Sequence, residues 1–443
     1  MTTTQYAAAL ERLVARGRGG SLKNMPSSAG LDRTRTFLKK LVGEDQLESL
    51  GDRVVHVVGT NGKGSVAWKT AHALAGSGIY RNVGLYTSPH LFTVRERIRI
   101  NGAMITVDDF VKGAEEVLSK SDESLSYFEL VTCMAFAHFA RRGCEAIILE
   151  AGMGGRGDAT NVLPRTKVAV LTSVALDHVA VLGPTIQHIC REKIGVAKEG
   201  TRVVVGPGVP SELDPIIHET CLTNRAASIT RVLPSITMDG FDDENSKVAR
   251  ACIEQFTAGE ASGKWAIDSS RPRCRSESIQ DRLSGKELIL DVGHNPAALQ
   301  YSLRTLMKRT DLPKKRLGLV FAIAADKDAK GSIDCLLSSV AWSRIEFVRL
   351  DKRGRTFKDT KLLKQLACEG HSKVVSPDVV GVGQDAEKGV QSLLGRSDID
   401  VVFCCGSHAL MADVLKATDN EVADVDPFDT NERGASDPPR INE

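Results

Sequence analysis

Short runs of β-branched and apolar residues alternate along the chain with longer segments in which apolar residues recur at helical spacing. The apolar runs predict strands at residues 53–58, 82–86, 145–150, 167–172, 202–205, 287–291, 316–321, 344–349 and 400–404. The intervening segments predict helices at residues 65–75, 107–119, 128–142, 185–198, 246–256, 296–307, 387–394 and 407–416. Because strands separated by helices usually pair in parallel, this order predicts an α/β fold with a mostly parallel, doubly wound sheet.

The length of 443 residues exceeds what one hydrophobic core usually supports, so the chain is expected to form two domains, with three as the alternative. The periodicity weakens across residues 257–282, a polar stretch that predicts the domain junction. From residue 418 onward the sequence is acidic, contains proline and lacks apolar periodicity. These features predict a disordered tail over residues 418–443.

The charge is nearly balanced, with 58 Lys and Arg against 56 Asp and Glu and a formal net charge of +2. This balance gives no basic footprint for nucleic acid or an anionic membrane. No apolar run approaches the roughly 18 residues of a membrane span. The sequence therefore predicts neither nucleic acid nor membrane as a partner.

The N-terminal segment includes Glu11 and has no apolar core followed by a cleavage site, which argues against a secretory signal. The ten cysteines form no CxxC pair, and most lie in apolar or helical segments, as reduced and buried thiols do. A cytoplasmic location is therefore expected, with a mitochondrial one as the alternative.

A glycine-rich segment follows the first predicted strand and precedes a helix. Glycines let backbone N–H groups approach phosphate oxygens, and the helix N-terminus and a lysine supply positive charge. The spelling differs from the usual P-loop, and the structural alternative is a tight turn whose glycines only relieve backbone strain. The predicted phosphate-binding residues are Thr60, Asn61, Gly62, Lys63, Gly64 and Ser65.

Three polar side chains, Ser88, Glu150 and His178, follow the ends of predicted strands. The carboxyl ends of parallel strands meet at one edge of a sheet, where open α/β folds bind ligands. Oxygen ligands together with nucleotide phosphates suit Mg²⁺. The three residues therefore predict a magnesium site, although Ser88 could serve as turn chemistry and His178 as a packed or capping residue.

Two further segments are ambiguous on their own. Residues 191–198 end a predicted helix with two lysines, as many solvated helix ends do. Residues 291–296 end a strand with Asp291 and His294 before a helix that begins with proline. This pattern fits a second ligand-binding edge and equally an Asp turn followed by a capping Asn.

The order and spelling of these segments together resemble the folylpolyglutamate synthase/dihydrofolate synthase family, the folate branch of the Mur-ligase superfamily. The resemblance covers about residues 25 to 417. It is carried by residues 59–65, 87–91, 95–102, 127–129, 150–161, 177–178, 192–198 and 291–296.

The resemblance implies an ATP-dependent ligase that phosphorylates a substrate carboxylate and lets the amine of L-glutamate displace phosphate from the acyl phosphate. It implies a P-loop-type ATP-binding domain at residues 1–285 and a smaller Rossmann-like domain at residues 286–417. ATP and Mg²⁺ are the expected cofactors, and a monomer is expected. Lys193 matches a carbamylated lysine, while Asp291 and His294 would act near the nucleotide and the acyl phosphate.

Looser matches concern the nucleotide and the pterin. Asn245 lies where the family has an adenine-contacting residue, and Arg275 where it has a nucleotide-binding one, although Cys274 replaces a usual glycine. Gly157 replaces a usual leucine, which is expected to loosen the pterin pocket. The implied pterin-binding residues are Gly30, Leu31, Phe128, Gly157, Asp158 and Ala159.

The resemblance favours a ligase that adds L-glutamate to folate and also to dihydropteroate. Dihydrofolate synthesis alone and a Mur-type ligase for another amino acid acceptor are the alternatives within the superfamily. A P-loop kinase would share Lys63 and Ser65, but it would not need Lys193. A non-catalytic nucleotide-binding protein would be free to lose Lys63, Glu150 and His178.

Overall fold

The computed structural model describes residues 3–19, 28–121, 124–234, 241–258, 265–267, 270–309, 315–350, 357–371, 376–418 and 426. The chain forms two compact units, one of Met1–Arg271 together with Asp426–Glu443 and one of Pro272–Val425. The units therefore divide at residue 271 rather than at the predicted residue 285, because a strand in the intervening segment pairs within the second sheet.

Within the described residues, eight strands form the sheet of the first unit in the order β4-β3-β2-β5-β1-β6-β7-β8. Strands β3 and β4 add antiparallel at one edge, and the other neighbours pair in parallel. The strands are β1 (Val54–Val58), β2 (Val83–Tyr86), β3 (Ile98–Ile100), β4 (Ala103–Met104), β5 (Ala146–Glu150), β6 (Val168–Ser173), β7 (Arg202–Gly208) and β8 (Ser228–Arg231).

Helices cover both faces of this sheet. The helices are α1 (Thr3–Gly19), α2 (Ser28–Val42), α3 (Glu44–Gly51), α4 (Lys63–Gly76), α5 (Val107–Lys120), α6 (Tyr127–Arg141), α7 (Val179–Leu182), α8 (Ile186–Ile194), α9 (Asp214–Thr223) and α10 (Phe241–Thr257). Helices α4 and α10 pack on one face. Helices α1, α2, α5 and α6 cover the other face on one side of β1, and α8 and α9 cover it on the other side.

Strand β1 shows how the alternation of a strand sorts its side chains. Val55 and Val57 pack in the cluster that contains α4 and α10. Val54 and Val58 belong to clusters on the opposite face. His56 shares that opposite face and is buried there, so one strand carries apolar residues to both layers.

Within the described residues, six strands form the sheet of the second unit in the order β13-β12-β11-β14-β10-β9, with β9 antiparallel at the edge. The strands are β9 (Arg275–Gln280), β10 (Glu287–Asp291), β11 (Leu317–Phe321), β12 (Arg344–Arg349), β13 (Val380–Asp385) and β14 (Val401–Cys405). The helices are α11 (Pro296–Met307), α12 (Ala329–Ser339), α13 (Thr360–Gly370), α14 (Ala386–Leu394) and α15 (His408–Ala417).

The connections place loops where a ligand can bind. In the first unit β1 lies between β5 and β6, with β2 beyond β5, and all four strands are parallel. The segments after these strands therefore emerge at the same edge of the sheet. This is the edge at which open α/β sheets hold their ligands.

The predicted α/β class and every predicted strand are confirmed, with small shifts at the strand ends. The sequence interpretation missed β3, β4, β8, β9 and β13, and the helices α1, α2, α3, α7, α9, α12 and α13. The predicted helix over residues 185–198 ends at Ile194, before a glycine. None of the described helices has the length and hydrophobicity needed to span a bilayer.

The boundary between the two units, at Arg271, falls within the predicted junction at residues 257–282. That stretch also contains β9, whose polar sequence reflects its position at the edge of the sheet. In the predicted disordered tail, Thr418 and Asp426 are buried, and Asp426 is hydrogen-bonded to Tyr6 and Val94 within the first unit. The remainder of residues 418–443 lies outside the described residues.

Candidate functional site

The glycine-rich loop between β1 and α4 is shaped by two backbone conformations. Gly59 has φ +150°, and a Cβ atom there would lie 1.9 Å from the hydroxyl oxygen of Thr172. Gly62 has φ +85° and precedes the first residue of α4, Lys63. Because L side chains rarely adopt these conformations, glycine is required for the loop to reach the helix N-terminus.

The end of β6 holds this loop through hydroxyl groups. The N–H of Thr60 donates to the carbonyl of Ser173 at 2.9 Å, and the N–H of Asn61 donates to the Ser173 hydroxyl at 2.8 Å. The Thr172 hydroxyl donates to the carbonyl of Asn61 at 2.6 Å. The sequence interpretation did not assign Thr172 and Ser173, although two hydroxyl residues at the end of a strand were a usable signal.

Two lysine amines converge on the same loop. Lys63 Nζ donates to the carbonyls of Gly59 at 3.0 Å and Thr60 at 3.1 Å. Lys193 Nζ, on the last turn of α8, donates to the Gly59 carbonyl at 3.0 Å. Lys193 is buried, with 4% of its surface exposed. The sequence predicted both residues for the site, and the structure brings both to one carbonyl oxygen.

The predicted metal ligands lie at this edge. Glu150 is buried at the end of β5, and a Cβ atom on Gly64 would lie 3.3 Å from its Oε2. The N–H of Ser88 donates to Glu150 Oε2 at 3.0 Å, so the loop after β2 meets the end of β5. His178 follows β6, has φ +49°, and its Nε2 lies 3.9 Å from Asp177 Oδ2.

The donor chemistry of these residues suits Mg²⁺, because a carboxylate and a hydroxyl leave room for water and phosphate oxygens. Within the described residues, no three His, Cys, Asp or Glu side chains form a metal-binding group. The predicted set contains only two residues of those types, Glu150 and His178. Its third member, Ser88, is a serine that would supply a hydroxyl oxygen.

The loop after β5 packs on the helix that carries Lys193. A Cβ atom on Gly155 would lie 2.5 Å from the Lys193 carbonyl, so the two backbones are in close contact. The N–H of Arg156 donates to the Glu192 carbonyl at 2.8 Å, and the N–H of Gly157 donates to Glu192 Oε1 at 3.0 Å. Lys193 is therefore held between this loop and the phosphate loop.

The predicted pterin residues gather beside this loop. Helices α2 and α6 contact each other and the 3-10 turn Ala159–Val162, and Leu31 and Phe128 pack against the same hydrophobic core. A Cβ atom on Gly152 would lie 2.6 Å from the tip of the Phe128 ring. Gly30 is buried, and its carbonyl accepts the Thr34 hydroxyl at 2.8 Å.

Asp158 has a structural function in this loop. Its carboxylate accepts the N–H and hydroxyl of Thr160 at 2.9 and 2.5 Å and the N–H of Met153 at 2.8 Å. Burial raises the pKa of Asp158, and these hydrogen bonds oppose the shift. His56 Nε2 lies 2.8 Å from the Thr160 hydroxyl, and burial lowers the pKa of His56 to about 3. The sequence interpretation did not assign His56 or Thr160.

Asn245 is buried on α10, the helix that packs on α4. The phosphate loop leads into α4, and Asn245 lies on the helix that packs against α4, so both belong to the first unit. The other predicted nucleotide residue, Arg275, belongs to the second unit.

At the end of β10 the second unit has a polar cluster of its own. Asp291 Oδ2 accepts the N–H and hydroxyl of Ser276 at 2.9 and 3.0 Å, and its Oδ1 accepts the N–H of Gly293 at 2.7 Å. Asn295 caps α11 by accepting the N–H of Ala298 at 2.9 Å. The structural alternative, an Asp turn with a capping Asn, is thus present in the structure.

His294 and Arg275 lie near a residue that the sequence interpretation missed. The rings of His294 and His408 are 6.2 Å apart, and an Arg275 nitrogen lies 3.5 Å from His408 Nε2. His408 is the first residue of α15 and follows Gly406 and Ser407. Gly406 and Ser407, which precede it, were the sequence signal that could have indicated His408.

Lys198, four residues after the end of α8, is a partly buried lysine. Its Nζ donates to the carbonyls of Asn161, at 3.1 Å, and Leu163. Burial, with Arg35 nearby, lowers the pKa of Lys198 from 10.5 to about 7. This amine links the segment to the turn that follows Asp158.

Comparisons with known proteins show similarity in sequence and in fold. Residues 57–202 match the family model described as the Mur ligase middle domain. The chain is 32% identical over 386 residues to the dihydrofolate synthase/folylpolyglutamate synthase of Escherichia coli, which covers 83% of this chain and 86% of that protein. It is 42% identical over 332 residues to the folylpolyglutamate synthase of Lacticaseibacillus casei, which covers 65% of this chain and 74% of that protein.

Solved structures extend the similarity over most of the chain. Mycobacterium tuberculosis folylpolyglutamate synthase complexed with ADP and AMPPCP matches with TM-score 0.76 and 25% identity, covering 94% of this chain and 99% of that one. A bifunctional folylpolyglutamate synthase/dihydrofolate synthase with Mn, AMPPNP and L-glutamate bound matches with TM-score 0.72 and 28% identity, covering 88% and 94%. An Escherichia coli relative in complex with DHPP and ADP matches with TM-score 0.70 and 26% identity, covering 88% and 98%.

Replacing Lys198 is expected to change how stability depends on pH. Between the folded-state pKa of about 7 and the ordinary value of 10.5, the unfolded chain binds more protons than the folded one. The unfolding free energy of the wild type should therefore rise with pH in this window, relative to Lys198→Met, by up to about 1.4 kcal/mol per pH unit. Urea unfolding at a series of pH values measures the difference.

Lys112 is exposed, so Lys112→Met serves as the matched control and should show no such trend. A constant difference between wild type and Lys198→Met from pH 7 to pH 10 would contradict the lowered pKa of Lys198.

Proposed function

The chain belongs to the folylpolyglutamate synthase/dihydrofolate synthase family, and we propose that it adds L-glutamate to folate and also to dihydropteroate. It is an ATP-dependent ligase that forms an amide bond between a substrate carboxylate and the glutamate amine. Folate, dihydropteroate and L-glutamate are its proposed small-molecule substrates, with ATP as the source of the phosphoryl group.

The observation that carries this proposal is the convergence at the phosphate loop. Lys63 and Lys193 both donate to the Gly59 carbonyl, while Glu150 lies against Gly64 and Ser88. A P-loop kinase would need Lys63 but not Lys193. The second lysine, buried beside the loop, distinguishes a site of the ligase type from a plain phosphate-binding turn.

The reaction proceeds by two transfers. The substrate carboxylate attacks the γ-phosphorus of ATP, and the bond from that phosphorus to the ADP oxygen breaks. The glutamate amine then attacks the acyl carbon, phosphate departs, and the amine loses a proton. Thr60, Asn61, Gly62, Lys63, Gly64 and Ser65 are the residues that we assign to the phosphates.

Lys63 and the backbone N–H groups of the loop stabilise charge that develops on the transferred phosphoryl group. The loop is preorganised because the hydroxyl groups of Thr172 and Ser173 hydrogen-bond to its backbone. The chemistry therefore depends on position and charge, and no protein nucleophile is required.

Ser88 and Glu150 are in contact and supply the oxygen ligands that suit Mg²⁺, and we assign the ion to Ser88, Glu150 and His178. When bound, Mg²⁺ neutralises phosphate charge and orients the phosphate oxygens. Glu150 keeps its carboxylate at the edge of the sheet because it ends a fully buried strand. We further propose that Lys193 becomes carbamylated: its neutral amine bonds to the carbon of CO₂ and loses a proton, giving a carboxylate beside the phosphate loop.

Arg275, Asp291 and His294 are assigned to the nucleotide and the acyl phosphate, and Asn245 to adenine. Asp291 already accepts three hydrogen bonds, so it orders the segment that presents His294. In the pterin pocket, Gly30, Leu31 and Phe128 supply the walls, and Gly157, Asp158 and Ala159 supply backbone. A monomer, a cytoplasmic location and the absence of nucleic-acid partners stay predictions.

Acceptor specificity tests the function. Purified protein should incorporate labelled L-glutamate into dihydropteroate and into tetrahydrofolate monoglutamate, with release of ADP. Gly157→Leu restores a side chain in the pocket and should change the ratio of the two kcat/KM values by about tenfold, the scale of a few methylene contacts. Incorporation into neither acceptor, with activity on a peptide or nucleotide-sugar acceptor, would identify a Mur-type ligase instead.

Lys63→Ala should lower acceptor-dependent ADP release by about 10²–10³-fold, because a donor aimed at developing phosphate charge is lost. Circular dichroism should show an unchanged fold. Lys112→Ala removes an exposed lysine from α5 and should retain the wild-type rate. Near-normal ADP release by Lys63→Ala would overturn the assignment of the phosphate loop.

Lys193→Arg keeps the positive charge of an unmodified lysine but should lose activity by about 10²-fold or more, because a guanidinium does not form the carbamate. Lys193→Ala should regain part of its rate when acetate is supplied, since acetate restores a carboxylate. An active arginine variant, or no rescue by acetate at any concentration, would contradict carbamylation.

A further inference from the structure

Asp426 is a buried carboxylate that the chain brings back to the first unit. The chain passes through the whole second unit after Arg271, and Asp426 is again part of the first. Only 8% of its surface is exposed. A buried carboxylate needs hydrogen-bond partners to be stable, so its partners indicate what it holds in place.

Its partners are on the loop after β2 and on α1. The Asp426 N–H donates to the Phe92 carbonyl at 2.8 Å. Its Oδ2 accepts the N–H of Val94 at 2.8 Å, and its Oδ1 accepts the Tyr6 hydroxyl at 2.6 Å. Burial and the nearby Asp426 carboxylate raise the pKa of Tyr6, so the phenol stays protonated and remains the donor.

A second carboxylate binds the same loop from within. Glu96 accepts the N–H groups of Leu91, Phe92 and Thr93 at 3.0, 2.7 and 2.9 Å. The backbone donors from Leu91 to Val94 are therefore shared between Glu96 and Asp426. Glu96 is local in sequence, whereas Asp426 is 332 residues from Val94.

The other end of this loop is Ser88, whose N–H donates to Glu150. Between them lies His90, which is buried. Arg97 Nε donates to His90 Nδ1 at 2.9 Å, which leaves the ring hydrogen on Nε2, 3.9 Å from Asp426 Oδ2. Asp426 is thus hydrogen-bonded to Phe92 and Val94, and its carboxylate faces the His90 ring.

We infer that Asp426 is a positioning residue for the loop that carries Ser88, and that it sets the affinity of the magnesium site. It acts from one end of the loop while Glu150 holds the other. The inference rests on the proposed function, because it takes Ser88 and Glu150 as ligands. No part of it requires Asp426 to touch the metal or a substrate.

Asp426→Asn tests this inference, because the amide keeps the size of the side chain and removes one acceptor oxygen. Loss of one partner from a buried hydrogen bond to a charged group corresponds to about a tenfold change in affinity. We expect the Mg²⁺ concentration for half-maximal ADP release to rise about tenfold, with kcat at saturating Mg²⁺ changed less than about twofold. Tyr6→Phe should shift the same quantity in the same direction by a smaller factor.

Binding of Mn²⁺ in the presence of AMPPNP, followed by the electron paramagnetic resonance of the free ion, gives a readout without turnover. Its dissociation constant should rise about tenfold in Asp426→Asn. Asp424→Asn changes the same charge two residues earlier and should leave both quantities at the wild-type value.

Metal affinities equal to the wild type in Asp426→Asn and Tyr6→Phe would overturn the inference, whatever the thermal stability of the variants. A wild-type protein that binds Mn²⁺ with AMPPNP but shows no glutamate-dependent ADP release would overturn the proposed function instead. In that case the Mn²⁺ dissociation constants of Asp426→Asn and Tyr6→Phe still decide whether Asp426 positions the loop.

Discussion

The Gly59 carbonyl accepts hydrogen bonds from two lysine amines, and the candidate site of the first unit depends on this convergence. One amine belongs to the helix that begins at the loop, and the other to a helix that follows β6. A single oxygen thereby fixes the distance between two elements that are far apart in sequence. Because Gly59 is seated on Thr172, without room for a side chain, the carbonyl has little freedom to move.

The sequence predicted the features that local chemistry determines. Central strands such as β1 and β5 are apolar throughout because both of their faces are covered, and they were predicted within one residue. Edge strands such as β9 carry polar residues because one side meets water, and they were missed. Helices α1 and α2 were missed because their apolar residues are spaced among many charged ones.

Site residues that belong to a sequence motif could be predicted. Their hydrogen-bond partners from distant parts of the chain could not. Lys63 and Lys193 were predicted by their motifs, but their shared acceptor required the structure. Asp158 was predicted to contact substrate, whereas the structure gives its carboxylate three local donors. The contact between His56 and Thr160 joins residues 104 positions apart, so no local pattern could reveal it.

The return of the chain to the first unit has a consequence for its synthesis on the ribosome. The loop around Val94 emerges together with Glu96, but it must wait for 332 further residues before Asp426 is available. At translation rates of about 5–20 residues per second, this interval is roughly 20–60 s. Throughout that time Tyr6 and the backbone of Val94 lack their buried acceptor, so the nascent first unit is complete in topology before it is complete in hydrogen bonding.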